Sequence, residues 1–278
     1  MGLIGAIIGD IIGSQYEFPS IRPDDLDWQN CPLLTDNCAF TDDTVMSIAT
    51  KIAIEKYNCD FAKAYKEFGK MYPNVEYGSM FAKWLMGEIE NYESFGNGSA
   101  MRVSYIGEYF SKITPENFNC YVENCLNQVE DLAIKSAKCT HNTLSGIRAA
   151  STVAIAITLA KLGFDKTEIF YFVNSLYLTK SIYTGDESLD ELRYKYLWCD
   201  FADHTVPIAF RCFYESTDYE SCMRNCFSLE CDMDTVCCIA GGIAETYYGT
   251  TGLDNKTILQ KYLTPHLYDC IKDLLEER

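Results

Sequence analysis

Two short pieces of this chain place more carboxylate at a helix start than a helix needs. Thr41, Asp42, Asp43 and Thr44 stand directly before Val45, Ile48, Ala49 and Ile52, whose i, i+3, i+4, i+7 spacing predicts a helix over 45–54. Asp232, Asp234 and Thr235 stand in the same relation to Val236, Ile239, Ala240 and Ile243. Capping explains part of this, because Asp and Thr oxygens accept hydrogen bonds from the free N–H groups of a first turn and suit its dipole. A cap uses one oxygen, however, and each start offers two carboxylates, which repel one another unless a cation lies between them. The candidate donors are hard oxygens, and Cys231 beside Asp232 is a lone soft one, so the expected ions are magnesium or manganese ahead of zinc.

Three further pieces carry polar groups suited to a ligand. Asp10, Ser14 and Glu17 fall at i, i+4, i+7 and share one face of an N-terminal helix if it extends that far, which would bring Glu17 to the cations. Asp10 itself reads as a buried, hydrogen-bonded structural acid. Ser94, Phe95, Gly96, Asn97, Gly98 and Ser99 form a small-residue loop ahead of a predicted helix over 100–103, and glycine N–H groups there would make an anion nest suited to a diphosphate. Tyr77, Gly78 and Ser79 lead into a helix in a similar way, and His141 follows Thr140 at the start of a long Ala-rich helix as a ligand contact. The loop carries few charges, so Asn97→Ala is expected to weaken anion binding and spare the cations.

The elements that must hold these groups read as helices throughout. Leu144 to Leu162 is rich in Ala, Ile and Leu, and Thr114, Pro115 and Glu116 predict an N-cap, a first-turn proline and an acidic first turn for a helix ending near Ala137. Alternating β-branched and polar residues are scarce, so the fold class is expected to be all-α. Gly5, Gly9 and Gly13 make a stripe that lets a second helix approach closely. Pro19–Phe40 and Ser181–Thr205 read as long loops. No Gly/Ser linker divides the chain, so residues 1–278 are expected to form one domain, acting as a monomer.

Composition narrows the partners. With 23 Lys plus Arg against 40 Asp plus Glu, the net charge is −17, which disfavours groove-type binding of nucleic acid and contact with anionic lipid. The apolar start is broken by Asp10 and reaches its first basic residue only at Arg22, unlike a secretory leader, and Ala149–Ala160 is short of the ~20 residues of a bilayer span. The expectation is a cytoplasmic protein without a membrane span. The 14 cysteines then read as reduced thiols, and Cys222, Cys226, Cys237 and Cys238 as residues of buried helix faces.

Taken in order, the motifs resemble the ADP-ribosylglycohydrolase family. They are G-A-I-I-G-D-I-I-G-S-Q-Y-E-F (Gly5–Phe18), F-T-D-D-T (Phe40–Thr44), Y-G-S (Tyr77–Ser79), S-F-G-N-G-S-A-M-R-V (Ser94–Val103), T-H (Thr140, His141), D-M-D-T (Asp232–Thr235) and Y-Y-G (Tyr247–Gly249), the last closing the final helix. Glu230 and Cys231 depart from the family, which commonly carries glycine there.

The resemblance implies a single compact, orthogonal multi-helix domain with two Mg2+ or Mn2+ ions in a central cleft. It implies Glu17, Thr41, Asp42, Asp43, Asp232, Asp234 and Thr235 as metal ligands. Gly78, Ser94, Phe95, Gly96, Asn97 and Gly98 would hold the diphosphate and adenosine side, and His141 would lie near the ribose. The implied activity is hydrolysis of the N- or O-glycosidic bond from ADP-ribose to an acceptor, with Glu17, Asp42 or Asp43 taking the proton of water. An ADP-ribosylated protein, through arginine or serine, a nucleic-acid base or a small-molecule adduct would serve as substrate. The same carboxylates would also suit a two-metal phosphoesterase or pyrophosphatase, and a non-catalytic ADP-ribose binder is the reading from another class.

Overall fold

The segment Gly2–Ser14 holds no polar side chain before Asp10, and a helix that is apolar all round belongs at the centre of a fold. A computed structural model, which describes residues 2–17, 26–90, 92–109, 118–176 and 187–276, places it there: every residue from Gly2 to Gly13 is buried. The order of elements is α1 (Gly2–Ser14), α2 (Asp42–Lys56), α3 (Phe61–Met71), α4 (Ser79–Met86), α5 (Ser104–Tyr109), α6 (Phe118–Lys138), α7 (Leu144–Lys161) and α8 (Lys166–Leu176). Then follow α9 (Leu189–Lys195), α10 (Ala202–Tyr214), α11 (Tyr219–Phe227), α12 (Met233–Tyr248), α13 (Asn255–Tyr262), α14 (Pro265–Asp269) and α15 (Asp273–Glu276). The fold is all-α. Among the described residues, β pairing is confined to two isolated bridges, Glu93 with His141 and Gly96 with Phe201.

The glycine stripe of α1 packs on α12. A Cβ on Gly5 would stand 2.5 Å from the carbonyl of Gly241, one on Gly9 2.1 Å from that of Cys237, and one on Gly13 2.6 Å from the Cα of Asp234. The partners descend along α12 as the glycines ascend along α1, so the two helices run antiparallel. The end of α1 therefore meets the start of α12. Buried Glu108 and Glu245 accept the N–H groups of Leu3 and Gly5 and satisfy the sunken first turn of α1.

Several elements differ from the sequence expectation. The stretch 100–103 is not a helix: Asn97–Ser99 forms a 3₁₀ turn, and α5 starts only at Ser104. The carbonyl of Met101 is diverted from a helical ladder to the Ser47 hydroxyl and the Cys238 thiol, at 3.2 and 3.3 Å. The expected loop 181–205 contains α9 and the start of α10, and Ser188 with Glu191 forms a capping box whose S-x-x-E pattern is readable in the chain. Its residues 181–186, like the predicted cap Thr114–Glu116, lie outside the described residues. Helix α1 ends at Ser14, so Glu17 stands on a following turn rather than on its face.

Gly249 closes α12 with φ 75°, yet α12 is not the final helix. The tail returns to the body through Tyr262, whose hydroxyl donates to the Thr35 carbonyl, and through Asp273, 3.1 Å from buried Lys51. Helix α7 is long and apolar enough to cross a membrane, but 78% of it is buried inside the fold, as befits a core helix. Cys222, Cys226, Cys237 and Cys238 are fully buried, on the faces expected of them.

The α1–α12 seam has no room for a methyl group. Gly9→Ala should therefore destabilise the protein by at least about 1–3 kcal/mol, the cost of forcing atoms into a filled core. Urea unfolding measures this, and an unchanged midpoint would contradict the packing described.

Candidate active site

Asp10 organises the first acidic helix start. Its Oδ1 accepts the Thr41 hydroxyl at 2.7 Å, and its Oδ2 accepts the N–H groups of Thr41 and Thr44 at 3.0 and 3.2 Å together with the Thr44 hydroxyl. It is the buried structural acid expected. Thr41 is the N-cap of α2 and accepts the N–H of Asp43 at 3.2 Å. Capping is thus done by Thr41 and Asp10, and Asp42 and Asp43 are spare. At the second start, Asp232 makes no side-chain cap to α12; its Oδ2 accepts the Asn97 amide at 2.6 Å.

The spare carboxylates face one another across a cavity of ≈ 390 Å³. Glu17, Asp42, Asp43, Asp232, Asp234 and Thr235 line it, and Thr235 links the two helix starts by donating its hydroxyl to Asp43 Oδ2 at 3.3 Å. Thr41 is buried beside it, with its hydroxyl engaged by Asp10 and by the Asp43 N–H and within hydrogen-bond reach of Asp234. Gly78, Ser94, Gly96, Asn97, Gly98 and His141 form the rest of the predicted set on the cavity wall. Phe95 is 58% exposed and lies outside the lining.

The bridges Glu93–His141 and Gly96–Phe201 pin the glycine loop in place. Two of its N–H groups are consumed internally: Gly96 donates to Ser94 Oγ at 3.0 Å and Asn97 to the Asp200 carbonyl at 2.9 Å. Any nest is therefore narrower than the sequence suggests, and centres on Gly98. A Cβ there would stand 3.2 Å from the His141 ring. The Asn97 bond to Asp232 also joins the loop to a carboxylate of the acidic wall.

Like charges and burial set the proton affinities. Burial first, and the Asp234 carboxylate next, push Asp10 up to about 7, and the same causes hold Asp42 and Asp43 well above the usual carboxylate range. Glu17 is pushed up to about 10 by burial, then by Asp234, Asp232 and Glu76. His141 is held well below its ordinary value by burial and then by Arg102, so it is neutral. Its Nδ1 lies 2.8 Å from the Thr140 hydroxyl, which also accepts from Arg102 at 2.9 Å.

Hard divalent cations fit this donor set. Asp43 Oδ1 and Glu17 Oε2 are buried without a hydrogen-bond partner, which is costly for oxygen unless something else binds it. Glu76, Tyr92, Arg102, Trp198 and Asp200 also line the cavity and carried no sequence signal of their own, although Glu76 adjoins Y-G-S and Arg102 lies within the glycine-loop motif.

An all-helical fold thus brings paired acidic helix starts, a glycine loop and a neutral histidine around one cleft, and the comparisons with known proteins make it a glycosyl hydrolase. The family model for ADP-ribosylglycohydrolases matches residues 1–278, and the chain belongs to that family. Among curated relatives, ADP-ribosylhydrolase ARH3 of Homo sapiens is 24% identical, over 89% of this chain and 84% of that protein. The same protein of Mus musculus is 25% identical, over 89% and 82%. A solved ADP-ribosylglycohydrolase-related protein complex shares the fold, with TM-score 0.64 at 18% identity over 97% of this chain and 93% of that one.

Because acids such as Asp10 and Glu17 bind protons more tightly folded than unfolded, the cation-free protein gains stability at low pH and loses it as pH rises. With chelator present, the melting temperature should fall from pH 5 to pH 8, through the Asp10 value near 7 and toward that of Glu17. Excess Mn2+ should suppress the fall. A flat profile with chelator would show that the carboxylates are not in conflict.

Proposed function

We propose that this chain hydrolyses the N- or O-glycosidic bond joining ADP-ribose to an acceptor. Two Mg2+ or Mn2+ ions would be held by Glu17, Thr41, Asp42, Asp43, Asp232, Asp234 and Thr235. The observation that carries the reading is one cavity on which three chain segments converge their carboxylates, with Asp43 Oδ1 and Glu17 Oε2 buried and unpartnered. When bound, the cations supply fixed positive charge for the ribose hydroxyls and for water.

The chain's own groups would do the rest. Glu17 and Asp42 are partly exposed, whereas Asp43 is 1% exposed, so Glu17 or Asp42, ionised once bound cations offset the burial and like charge that raise its proton affinity, would take the proton of water. As that oxygen bonds to C1, the bond from C1 to the acceptor would break, and the proton taken from water would pass on to the leaving acceptor, so that the elements of water are divided between the two products. Gly98, unhindered by a side chain, and neutral His141 receive the diphosphate and ribose side, flanked by Ser94, Gly96, Asn97 and Gly78. Phe95 at the rim offers an aromatic face to the adenine. The substrate class is an ADP-ribosylated protein, a nucleic-acid base or a small-molecule adduct. Residues 1–278 act as one domain and as a monomer, and the many buried thiols suit a reducing cytoplasm.

Mass spectrometry of products from differently linked ADP-ribosyl substrates tests this reading. Free ADP-ribose should appear with Mn2+ or Mg2+ and not with chelator, whereas phosphate or AMP as product would identify a phosphoesterase. Glu17→Gln, Asp42→Asn and Asp234→Asn should each lower kcat by about 10²–10⁴-fold with the helical fold retained. Asn97→Ala should weaken Mn2+ and ADP-ribose binding together, read by calorimetry, because it frees Asp232.

A further inference from the structure

Glu76 belongs to none of the motifs that define the family, yet it stands in the cleft. It lies on the connection between α3 and α4, two residues before Gly78. One carboxylate oxygen from each of Glu17, Glu76 and Asp234 lies within 4.8 Å of the other two. These three groups come from separate parts of the chain: the turn after α1, the α3–α4 connection and the first turn of α12. An exposed carboxylate such as Glu76 is free to swing into solvent, yet it stands beside two other acids and within hydrogen-bond reach of Glu17, where a shared proton or a cation relieves the repulsion.

A second observation points the same way. Asp43 lines the same cavity, is 1% exposed, and its Oδ1 has no hydrogen-bond partner. Glu17 Oε2 is likewise buried and unpartnered. Resting on the divalent-cation reading above, we infer that Glu76 is a further cation ligand, joining Glu17 and Asp234 around one ion and tying the α3–α4 connection to the cleft.

The tie has a consequence for substrate. The stretch following Glu76 supplies Gly78, Ser79 and Met80 to the cavity wall. A cation held in part by Glu76 draws that wall toward the start of α12, so cation binding also shapes the substrate side. Glu76 lies beyond the α2 and α12 helix starts, and its loss leaves their carboxylates in place.

Manganese titrated into chelator-stripped wild-type and Glu76→Gln protein tests this. Calorimetry should show one Mn2+ bound at least about tenfold more weakly in Glu76→Gln, the minimum loss typical even of a partner merely hydrogen-bonded to a ligand. Without metal, the variant should melt at or above the wild-type temperature, because one like charge has left, while its Mn2+-induced rise should be smaller. Glu76→Asp, which keeps the charge, should fall between. Hydrogen exchange across residues 72–81 should slow with Mn2+ in the wild type and not in Glu76→Gln. Equal affinity and stoichiometry in Glu76→Gln would overturn the inference alone; a wild type that binds no Mn2+ would overturn the cation reading and this inference with it.

Discussion

The close antiparallel contact between α1 and α12 is the constraint from which the cleft follows. With glycine at positions 5, 9 and 13, the backbones meet without side chains between them, and the Gly13 end of α1 arrives at Asp234. Glu17 follows Gly13 by four residues and is thereby delivered to the second acidic cluster. Asp10, on the same helix, gathers the first turn of α2 through Thr41 and Thr44. One helix thus fixes three carboxylate-bearing segments relative to one another. A bulky side chain on its glycine face would act on the site without touching it.

The acidic wall is a local conflict that the rest of the fold overdetermines. Two unit charges about 4 Å apart interact by about 4 kcal/mol at an effective dielectric constant of 20, and Glu17, Glu76 and Asp234 each offer an oxygen within 4.8 Å of the other two. That is a large fraction of the ~5–15 kcal/mol by which a domain is stable. Protonation relieves the conflict at low pH, and in the proposed function divalent cations would relieve it at neutral pH. The fixed seam between α1 and α12 and the four bonds to Asp10 keep the groups from relieving it by moving apart.

Legibility in the sequence followed the range of the interaction. The acidic helix starts, the glycine stripe and the buried character of Asp10 are local patterns, and each is present where the pattern put it. The helix expected at 100–103 failed because Met101 is claimed by Ser47 and Cys238, residues 54 and 137 positions away, which no local period contains. Glu76 was silent for the same reason: its meaning lies in Glu17 and Asp234, and only the folded chain brings them together. The α9 helix was different, since its S-x-x-E box was legible and was outweighed by the acidic, Gly-containing character of the surrounding stretch.

The distribution of charge along the cavity bears on how an anion enters so acidic a protein. The lining of one cavity includes the carboxylates of Glu17, Asp42, Asp43, Asp232 and Asp234 and also Gly98, neutral His141 and the buried guanidinium of Arg102. Arg102 depresses the proton affinity of His141 and shares the Thr140 hydroxyl with it, which keeps the histidine uncharged while leaving a positive group beside the loop. In the proposed reaction a diphosphate would be better tolerated beside Gly98 and Arg102, and a ribose diol, which bears no charge, beside the carboxylates once cations are bound. In the proposed reaction this polarity gives ADP-ribose one orientation, with the glycosidic carbon toward the carboxylates that accept a proton. Without cations, ionised carboxylates would repel the diphosphate across the same small cavity, so in the proposed reaction metal binding and substrate binding would be coupled through charge as well as through the α3–α4 connection.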